Sequence, residues 1–498
     1  MVKIVWAGNF LADSESEVLE DQAVVVQGNI IIDLGPKASM IEKYREAEIR
    51  GGDQYLLLPS FIDSHDHGRA LGTVPLGVPD DWLEIWIPGL WAQPVIDCYT
   101  AAVYDGLRLL QSGVTAVSHH HNPRDWSNML GEAVQTIKGY RDVGMRVVYN
   151  PPFMDQNQLV YEDALDFIEN LPKSIRELAR PFAVSKHMEP EQYFEMWQQL
   201  FQDFHDVEEN LVHINVCPVG GQWISDDMLL KLINLAKEYD TRIQMHLLET
   251  PFQQIYAQRQ WGKSFVKHLD EIDALVPWLT LAHMTQVEHE DLPVLAKYNV
   301  GIAINPSSNL RLRNGIAPIA MMEASKVEIG IGLDGHTLDD DQDYLREMRL
   351  ARVLANRPGS RALVLDSRDI LRMGTQNGAK ITFGQNVKLG RLQKGYLADM
   401  VLIDFDAVRD VWFSPDADPV DILLHKGVRN HVTHVMVNGD WVIKDGNSIS
   451  VNEEEVVRNI REQLNRQLLN SSRQQAATTA KMLAPYIRKY YQSWEYEE

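Results

Sequence analysis

The chain has 498 residues, 45% of them hydrophobic, and a formal net charge of −23 at pH 7. Its length exceeds that of an ordinary compact domain but fits a barrel of about 250–400 residues with additions. The excess of acidic residues repels nucleic-acid phosphates and anionic membranes, so neither is an expected partner. The two cysteines, Cys98 and Cys217, provide no disulfide framework, which favours a reducing, cytoplasmic location.

The first segment, residues 1–55, is expected to form short strands joined by turns. Its opening stretch, MVKIVWAGNFLADSESE, turns acidic early and lacks the basic and apolar regions of a secretory leader. No stretch of the chain approaches the ~18–20 consecutive apolar residues of a membrane span, so we expect none.

From residue 56 onward, short apolar runs typical of strands alternate with stretches typical of helices. This alternation predicts a parallel sheet with crossover helices. Eight such runs predict an α/β fold of the closed (β/α)8 TIM-like barrel type over residues 56–387. The runs expected to form the strands are 56–67, 114–120, 145–153, 211–219, 242–248, 279–284, 300–308 and 327–334.

An unusually long connection separates the third run from the fourth. Residues 154–210 are helical in pattern and are expected on the active-site side of the barrel, where a long insertion can act as a lid.

The segment after the barrel again resembles short strands. Residues 388–450 contain two hairpin turn signals, Asn438-Gly439 and Asp445-Gly446. Because neither chain end could bury its strand faces alone, residues 1–55 and 388–450 together predict one small β-sandwich. Residues 451–498 are expected to form a C-terminal helical extension.

Polar residues occur at the C-terminal ends of four of the apolar runs, the face at which barrel active sites form. His65 and His67 are two apart, so both point to the same face of a strand. With His246 and Asp334 they make a set of three nitrogens and one oxygen, which suits one zinc ion, with iron as the alternative. His283, at the end of a further run, remains available for chemistry.

Each of these residues also has an ordinary structural interpretation. A histidine at a strand end can be a core residue, and Asp334-Gly335 is a common turn pair. Their joint occurrence at four strand ends favours a single metal site over coincidence. A cytidine-deaminase type of zinc site is excluded because the chain has no C-x-x-C. A bridged two-metal centre is disfavoured, because the nearest candidate for the bridge, Lys186, lies in the long insertion.

Longer stretches around these positions resemble the amidohydrolase superfamily, in particular its mononuclear branch of deaminases and triazine hydrolases. The similarity runs from about residue 1 to 455 and so covers nearly the whole chain. The matching stretches are PSFIDSHDH, DDWLEIWI, LRLLQSGVTAV, ISDDMLLKLINLAKEYDTRIQMHLLET, LAHMT, NPSSNLRLRNGIAPI, GIGLDG, REMRLA, GRLQKGYLADMVLIDFD and VMVNG.

The resemblance implies a role for each residue of the site. The implied metal ligands are His65, His67, His246 and Asp334. The implied catalytic residues are Glu249, His283 and Asp334. Taken alone, Glu249 also fits a solvated acid just ahead of a helix beginning at Thr250-Pro251. Its place three residues after a ligand histidine, within the family pattern, favours the catalytic role.

The implied activity is a metal-dependent hydrolysis that removes ammonia from an N-heterocyclic small molecule of purine, pyrimidine, pterin or triazine type. One divalent cation, bound as described, lowers the pKa of water toward ~7. Asp334 would take the proton of that water, His283 would fix the direction of the nucleophile, and Glu249 would protonate a ring nitrogen.

Five residues are candidates for contact with the substrate. Arg69 can pair a carboxylate bidentately, and a structural salt bridge explains it equally well. Trp91 can stack on a flat heterocycle or pack in the core. His121, from a triplet of histidines, and Gln222 and Asn309, near the ends of other runs, complete the candidates.

Other functions remain open at this point. The same metal and residues can hydrolyse a cyclic amide, or remove chloride or an alkylamine from an aromatic ring. A different class is a catalytically inactive barrel that serves as a scaffold, which the complete ligand set disfavours. Members of the superfamily are often dimers or larger, so the resemblance is compatible with a homo-oligomer.

Overall fold

The computed structural model describes residues 1–162, 164–183, 188–207, 210–359, 362–468 and 470–494. Lys186, considered above as a metal bridge, lies outside this part of the chain. Among the helices of the described residues, none combines the length and the apolar character that crossing a bilayer requires.

The strands are concentrated at the two chain ends and in the central repeating region. In chain order they are β1 Val2–Phe10, β2 Leu19–Gln27, β3 Ile30–Pro36, β4 Glu48–Pro59, β5 Phe61–Asp66, β6 Val114–His120, β7 Arg146–Asn150, β8 Pro152–Phe153, β9 Val212–Ile214, β10 Cys217–Pro218, β11 Ile243–Leu247, β12 Leu279–His283, β13 Gly301–Ile304, β14 Glu328–Ile331, β15 Met400–Asp404, β16 Val432–Val437, β17 Asp440–Lys444 and β18 Asn447–Ser448.

The helices lie mainly between the central strands and at the C-terminus. In chain order they are α1 Lys37–Lys43, α2 Leu83–Leu90, α3 Cys98–Gln111, α4 Met129–Asp142, α5 Ala164–Glu169, α6 Lys173–Ala183, α7 Pro190–Phe204, α8 Asp226–Glu238, α9 Pro251–Trp261, α10 Phe265–Glu271, α11 Leu292–Lys297, α12 Pro306–Arg311, α13 Ile319–Ala324, α14 Tyr344–Ala355, α15 Ser367–Arg372, α16 Gly378–Phe383, α17 Phe405–Arg409, α18 Pro419–Lys426, α19 Glu453–Arg466 and α20 Ser471–Gln492.

The central strands form two four-stranded sheets in which all pairs are parallel. One sheet has the order β5-β6-β7-β9 and the other β11-β12-β13-β14, with helices in the connections. The strands are buried on both faces, as expected when crossover helices cover a parallel sheet. The alternation of strand and helix read from the sequence is therefore confirmed as a mixed α/β architecture.

Contacts join the two parallel sheets on both sides. Isolated parallel bridges pair Val216 with Ile243 and Gly220 with His246. On the other side, the backbone N–H of Asp334 donates to the carbonyl oxygen of His65 at 2.9 Å. The C-terminal ends of the strands from both sheets therefore face one region.

Both chain ends contribute to a third sheet of eight strands, in the order β18-β17-β16-β15-β4-β1-β2-β3. The backbone N–H of Ala398 donates to the carbonyl oxygen of Asn29 at 2.8 Å, which brings the β2–β3 hairpin against the chain ahead of β15. Assembly of this sheet from both ends agrees with the expectation; its division into two packed layers stays a prediction.

The first apolar run, 56–67, differs from the expected single strand. It breaks at Ser60: β4 pairs with β1 and β15 in the terminal sheet, and only β5 joins the parallel sheet. Both halves are fully buried, so hydrophobicity alone shows no boundary between them. The segment between β15 and β16, expected to be strand-like, also carries the helices α17 and α18.

A buried ion pair links the parallel sheet to the terminal sheet. The guanidinium of Arg146, on β7, donates to Oδ1 of Asp399 at 2.9 Å, and both side chains are at most 1% exposed. The same oxygen accepts the backbone N–H of Asn438 at 2.8 Å.

Replacing Asp399 by alanine is expected to cost about 3–5 kcal/mol, because the buried charge of Arg146 loses its partner. The control is Asp440→Ala, which removes the exposed partner of Lys3 and should cost under about 1 kcal/mol. Urea unfolding of both variants measures the difference, and equal losses of stability would refute the structural role of the buried pair.

Candidate metal centre

The ends of β5 and β11 bring three imidazole rings together. His67 and His246 each donate through Nδ1 to a backbone carbonyl oxygen. Nδ1 of His65 lies 3.3 Å from the side-chain oxygen of Gln244. Because each Nδ1 faces an acceptor of the protein, the ring proton lies on Nδ1. Each Nε2 therefore has a lone pair available for a ligand bond.

The Nε2 atoms of these three histidines converge with a carboxylate from the end of β14. The Nε2 atoms of His67 and His246 face each other at 3.2 Å. Oδ1 of Asp334 lies 3.2 Å from Nε2 of His67 and 3.6 Å from Nε2 of His65. Nε2 of His65 is buried and has no hydrogen-bond partner among the described residues. Imidazole lone pairs that face one another at this distance repel unless a cation lies between them, so the residues fit a divalent metal ion.

Burial keeps these imidazoles in the neutral form that metal binding needs. It lowers the pKa of His67 to about 4, and it also lowers the pKa of His246 well below the usual value. Burial raises the pKa of Asp334, but the adjacent imidazoles of His65 and His67 outweigh this effect and hold the pKa of the carboxyl well below its usual range. The centre therefore presents neutral nitrogens and an ionised carboxylate.

The backbone at two of the strand ends is unusual. Asp334 has a φ of 58° and His283 a φ of 75°, in the left-handed region that residues other than glycine seldom adopt. The carboxylate of Asp66 accepts the backbone N–H of Gly335 at 2.9 Å and thereby fixes the turn that carries Asp334. Strain of this kind is held in place by its surroundings and is common at functional sites.

His283 and Glu249 lie together beside the ligand atoms. Nδ1 of His283 donates to Oδ1 of Asn309 at 2.9 Å, so its Nε2 is an acceptor. That Nε2 lies 3.7 Å from Oε2 of Glu249, and Oε1 of Glu249 accepts from Asn314 at 2.8 Å. A ring nitrogen of His283 is also within 4.8 Å of ligand atoms of His65 and Asp334.

The carboxyl of Glu249 is set up to carry a proton. Burial, followed by the negative charges of Asp334 and Glu84, raises its pKa well above the usual value. Burial lowers the pKa of His283 to about 3, so this imidazole is neutral. The pair thus offers a proton donor and a proton acceptor within a few ångströms of each other.

A cavity of about 580 Å³ opens onto this group of residues. Its lining includes His67, His246, Glu249, His283 and Asp334. Four tryptophans, Trp86, Trp91, Trp126 and Trp223, also line it. A flat ring can therefore reach the ligand atoms and the proton donor from one space.

Three of the predicted substrate contacts line the cavity, namely Arg69, Trp91 and His121. Arg69 is already engaged, because it donates to the backbone oxygen of Asp334 and lies 4.9 Å from the ring of Trp86. His121 is paired with Glu132 at 2.8 Å.

Two other predicted contacts lie elsewhere. Gln222 is in a short turn, Gly221–Trp223, with its side chain fully buried outside the cavity lining. Asn309 is also outside the lining and holds His283 instead. Both sit next to strand ends, as predicted, but the turn and the helix that follow direct their side chains into the protein.

Gln244 belongs to the candidate site but was not predicted from the sequence. Its side-chain oxygen lies near Nδ1 of His65 and Nε2 of His120, and its amide donates to the carbonyl oxygen of Ser64 at 3.0 Å. Its spacing could have identified it, because Gln244 is two residues before His246 and therefore lies on the same face of the strand.

Replacing Gln244 by leucine is expected to weaken metal affinity by about 10–100-fold, because His65 loses the group that orients its ring. Competition with a chelator of known affinity measures the change. The matched control is Gln393→Leu, at an exposed position, which should leave affinity unchanged. A Gln244→Leu protein that binds metal as tightly as this control would show that His65 needs no such support.

The chain is similar to a known protein family and to several known proteins. The model of the amidohydrolase family matches residues 56–442. A protein of Halothermothrix orenii named 5-methylthioadenosine/S-adenosylhomocysteine deaminase is 27% identical over 471 residues, which cover 92% of this chain and 97% of that protein. A 5'-deoxyadenosine deaminase of Methanopyrus kandleri is 26% identical over 458 residues, 90% of this chain and 96% of that protein.

A solved structure shares the fold of this chain over almost the whole length of both chains. The adenosine deaminase of Xanthomonas campestris with bound zinc superimposes with a TM-score of 0.78 and is 23% identical. The match covers 93% of this chain and 98% of that chain.

Proposed function

Because the chain belongs to the amidohydrolase family, we propose that it is a metal-dependent hydrolase that deaminates an N-heterocyclic small molecule. The observation that carries the proposal is the convergence of His65, His67, His246 and Asp334, with Glu249 and His283 beside them, at the wall of one cavity. In the net reaction, water adds at the carbon that bears the amino group, ammonia leaves, and a carbonyl forms.

The two parallel sheets, we infer, form one closed (β/α)8 barrel. The bridges from Val216 and Gly220, which flank β10, to β11 and the backbone hydrogen bond from Asp334 to His65 support closure on both sides. Closure puts all the site residues at the C-terminal mouth of the barrel, where active sites of this fold lie.

His65, His67, His246 and Asp334 would hold one metal ion. Three nitrogens and one carboxylate oxygen suit zinc, with iron as the alternative, and the zinc in the similar adenosine deaminase supports the first choice. When bound, such an ion lowers the pKa of water to about 7 and so makes hydroxide available at neutral pH.

The residues around the ion move and direct the protons. Oδ1 of Asp334, ionised and next to the ligand nitrogens, accepts the proton of the attacking water. Nε2 of His283 is an acceptor because Asn309 fixes the proton on Nδ1, so it orients the water by accepting its second hydrogen.

Glu249 supplies the proton that makes the heterocycle reactive. Its raised pKa favours the protonated carboxyl, which donates to a ring nitrogen next to the attacked carbon. Asp334 then passes the proton taken from water to the departing amine, and the carboxylate of Glu249 regains a proton from the hydroxyl that becomes the carbonyl, so that neutral ammonia leaves.

The named activities of the relatives narrow the substrate class. The two curated relatives are named as deaminases of adenosine derivatives, so we place an adenosine-type nucleoside first among the purine, pyrimidine, pterin and triazine candidates. The tryptophan-lined cavity of about 580 Å³ has room for a nucleoside with a substituent.

Ammonia release by the zinc-loaded protein tests the proposal. The panel contains adenosine, 5'-deoxyadenosine, cytosine, a pterin and an aminotriazine, with a cyclic amide and a chlorotriazine for the two alternative reactions. We expect ammonia from the adenosine derivatives. Ring opening of the amide or chloride release alone would replace deamination by the corresponding alternative, and inactivity on the whole panel would favour a scaffold.

We further propose that the domain boundaries lie at residues 55, 387 and 450 and that residues 154–210 act as a lid. We also propose a two-layer sandwich for the terminal sheet, a homo-oligomer and a cytoplasmic location.

A further inference from the structure

One wall of the cavity is built from a segment with little regular structure of its own. We define this wall as residues 81–98, which contain the short helix α2 and then an irregular stretch, 91–97. Cavity-lining residues are frequent in it, among them Glu84, Trp86, Trp91 and Ile96. An irregular wall holds its shape only if its backbone groups find partners elsewhere in the protein.

Side chains of the C-terminal helical extension supply such partners for the irregular stretch. Gln467, directly after α19, accepts the backbone N–H of Val95 at 2.8 Å and donates to the carbonyl oxygen of the same residue. One turn earlier, Gln463 accepts the backbone N–H of Asp97 at 2.8 Å. In α20, Arg473 donates to the carbonyl oxygen of Ala92 at 2.7 Å.

The far end of α20 holds the beginning of the wall. The guanidinium of Arg488 donates to Asp81 at 2.7 Å and lies 4.5 Å from the ring of Trp82. The wall is therefore fixed at both of its ends by one helix pair.

A second line of contacts leads from α20 toward the proton donor. The hydroxyl of Tyr491 accepts the backbone N–H of Tyr161 at 3.1 Å, and the hydroxyl of Tyr161 donates to Glu84 at 2.8 Å. The same oxygen of Glu84 accepts from the hydroxyl of Thr250 at 2.6 Å, next to Glu249 in the chain. Tyr491 is fully buried, so this contact is part of the packed interior.

We propose that the helix pair α19–α20 positions the cavity wall 81–98, so that substrate affinity depends on Gln463, Gln467 and Tyr491 while metal binding does not. These are positioning residues, since none of them lines the cavity and each acts through the wall or through Tyr161. The expected change in KM rests on the proposed function. The order of the wall, which hydrogen exchange measures, does not depend on that function.

The test compares full-length zinc-loaded variants with the wild type. For Gln463→Ala/Gln467→Ala we expect at least a tenfold rise in KM for the adenosine derivative, a smaller change in kcat and unchanged zinc content. Backbone amides of 91–97 should exchange hydrogen at least tenfold faster, while those of β11 and β12 keep their rates. The matched control is Arg466→Ala on the same helix, where the side chain is 75% exposed.

Tyr491→Phe is the second variant and removes a single hydroxyl, in case the double substitution prevents folding. Here we expect faster exchange at Tyr161 and about a threefold rise in KM. Unchanged exchange at 91–97 in the double variant, or at Tyr161 in the Tyr491→Phe protein, would overturn the proposal, as would loss of zinc with KM unchanged. If the wild type deaminates nothing, the proposed function fails, and the exchange rates alone decide this inference.

Discussion

His67→Ala protein is expected to retain less than a tenth of the metal that the wild type binds and to lose its turnover. The substitution removes one of the four proposed ligands and leaves Asp334 and His246 facing a gap, since both have an atom 3.2 Å from Nε2 of His67. Loss of a group that only orients a ligand already costs about 10–100-fold in affinity, so loss of a ligand itself should cost more. Inductively coupled plasma mass spectrometry after gel filtration gives the metal content per chain.

The control for this variant is another histidine. His425 is exposed on α18, away from the strand ends, and His425→Ala should keep one metal ion per chain and full activity. Full metal occupancy in the His67→Ala protein would show that the ion is held by other residues.

Glu249→Gln should lower kcat by about 10²–10⁴-fold with the metal content unchanged, because the amide has no acidic proton to give to a ring nitrogen. Glutamine keeps the shape of the side chain and an oxygen that can accept from Asn314. The fall should therefore appear in kcat rather than in folding or metal affinity. Steady-state ammonia release, with zinc measured on the same sample, separates these quantities.

Glu290→Gln serves as the matched control, because that side chain is 79% exposed and lies outside the cavity lining. Its kcat should equal that of the wild type. A Glu249→Gln enzyme with wild-type kcat would remove Glu249 from proton transfer and leave His283 and Asp334 to carry it.

Much of the candidate site could be predicted because strand geometry is periodic. His65 and His67 share a face since side chains alternate along a strand, and the ends of parallel strands meet at one edge. The same reasoning applies to His246 and Asp334 at the ends of β11 and β14, and short distances between ligand atoms link all four side chains.

The parts that could not be predicted depend on tertiary packing. Hydrophobicity does not reveal the break at Ser60, because the chain is buried on both sides of it. The helix predicted at Thr250-Pro251 does begin at Pro251, but the hydroxyl of Thr250 donates to Glu84 and does not cap the helix. Nor does any local pattern show that Gln467 would pair with the backbone of Val95, 372 positions away.

The position of the metal ion can be measured directly in crystals of the protein grown with zinc, from anomalous diffraction at the zinc absorption edge. We expect one strong peak, about 2.0–2.2 Å from Nε2 of His65, His67 and His246 and from a carboxylate oxygen of Asp334. A peak held by other residues, or no peak at these four side chains in zinc-saturated crystals, would contradict this expectation.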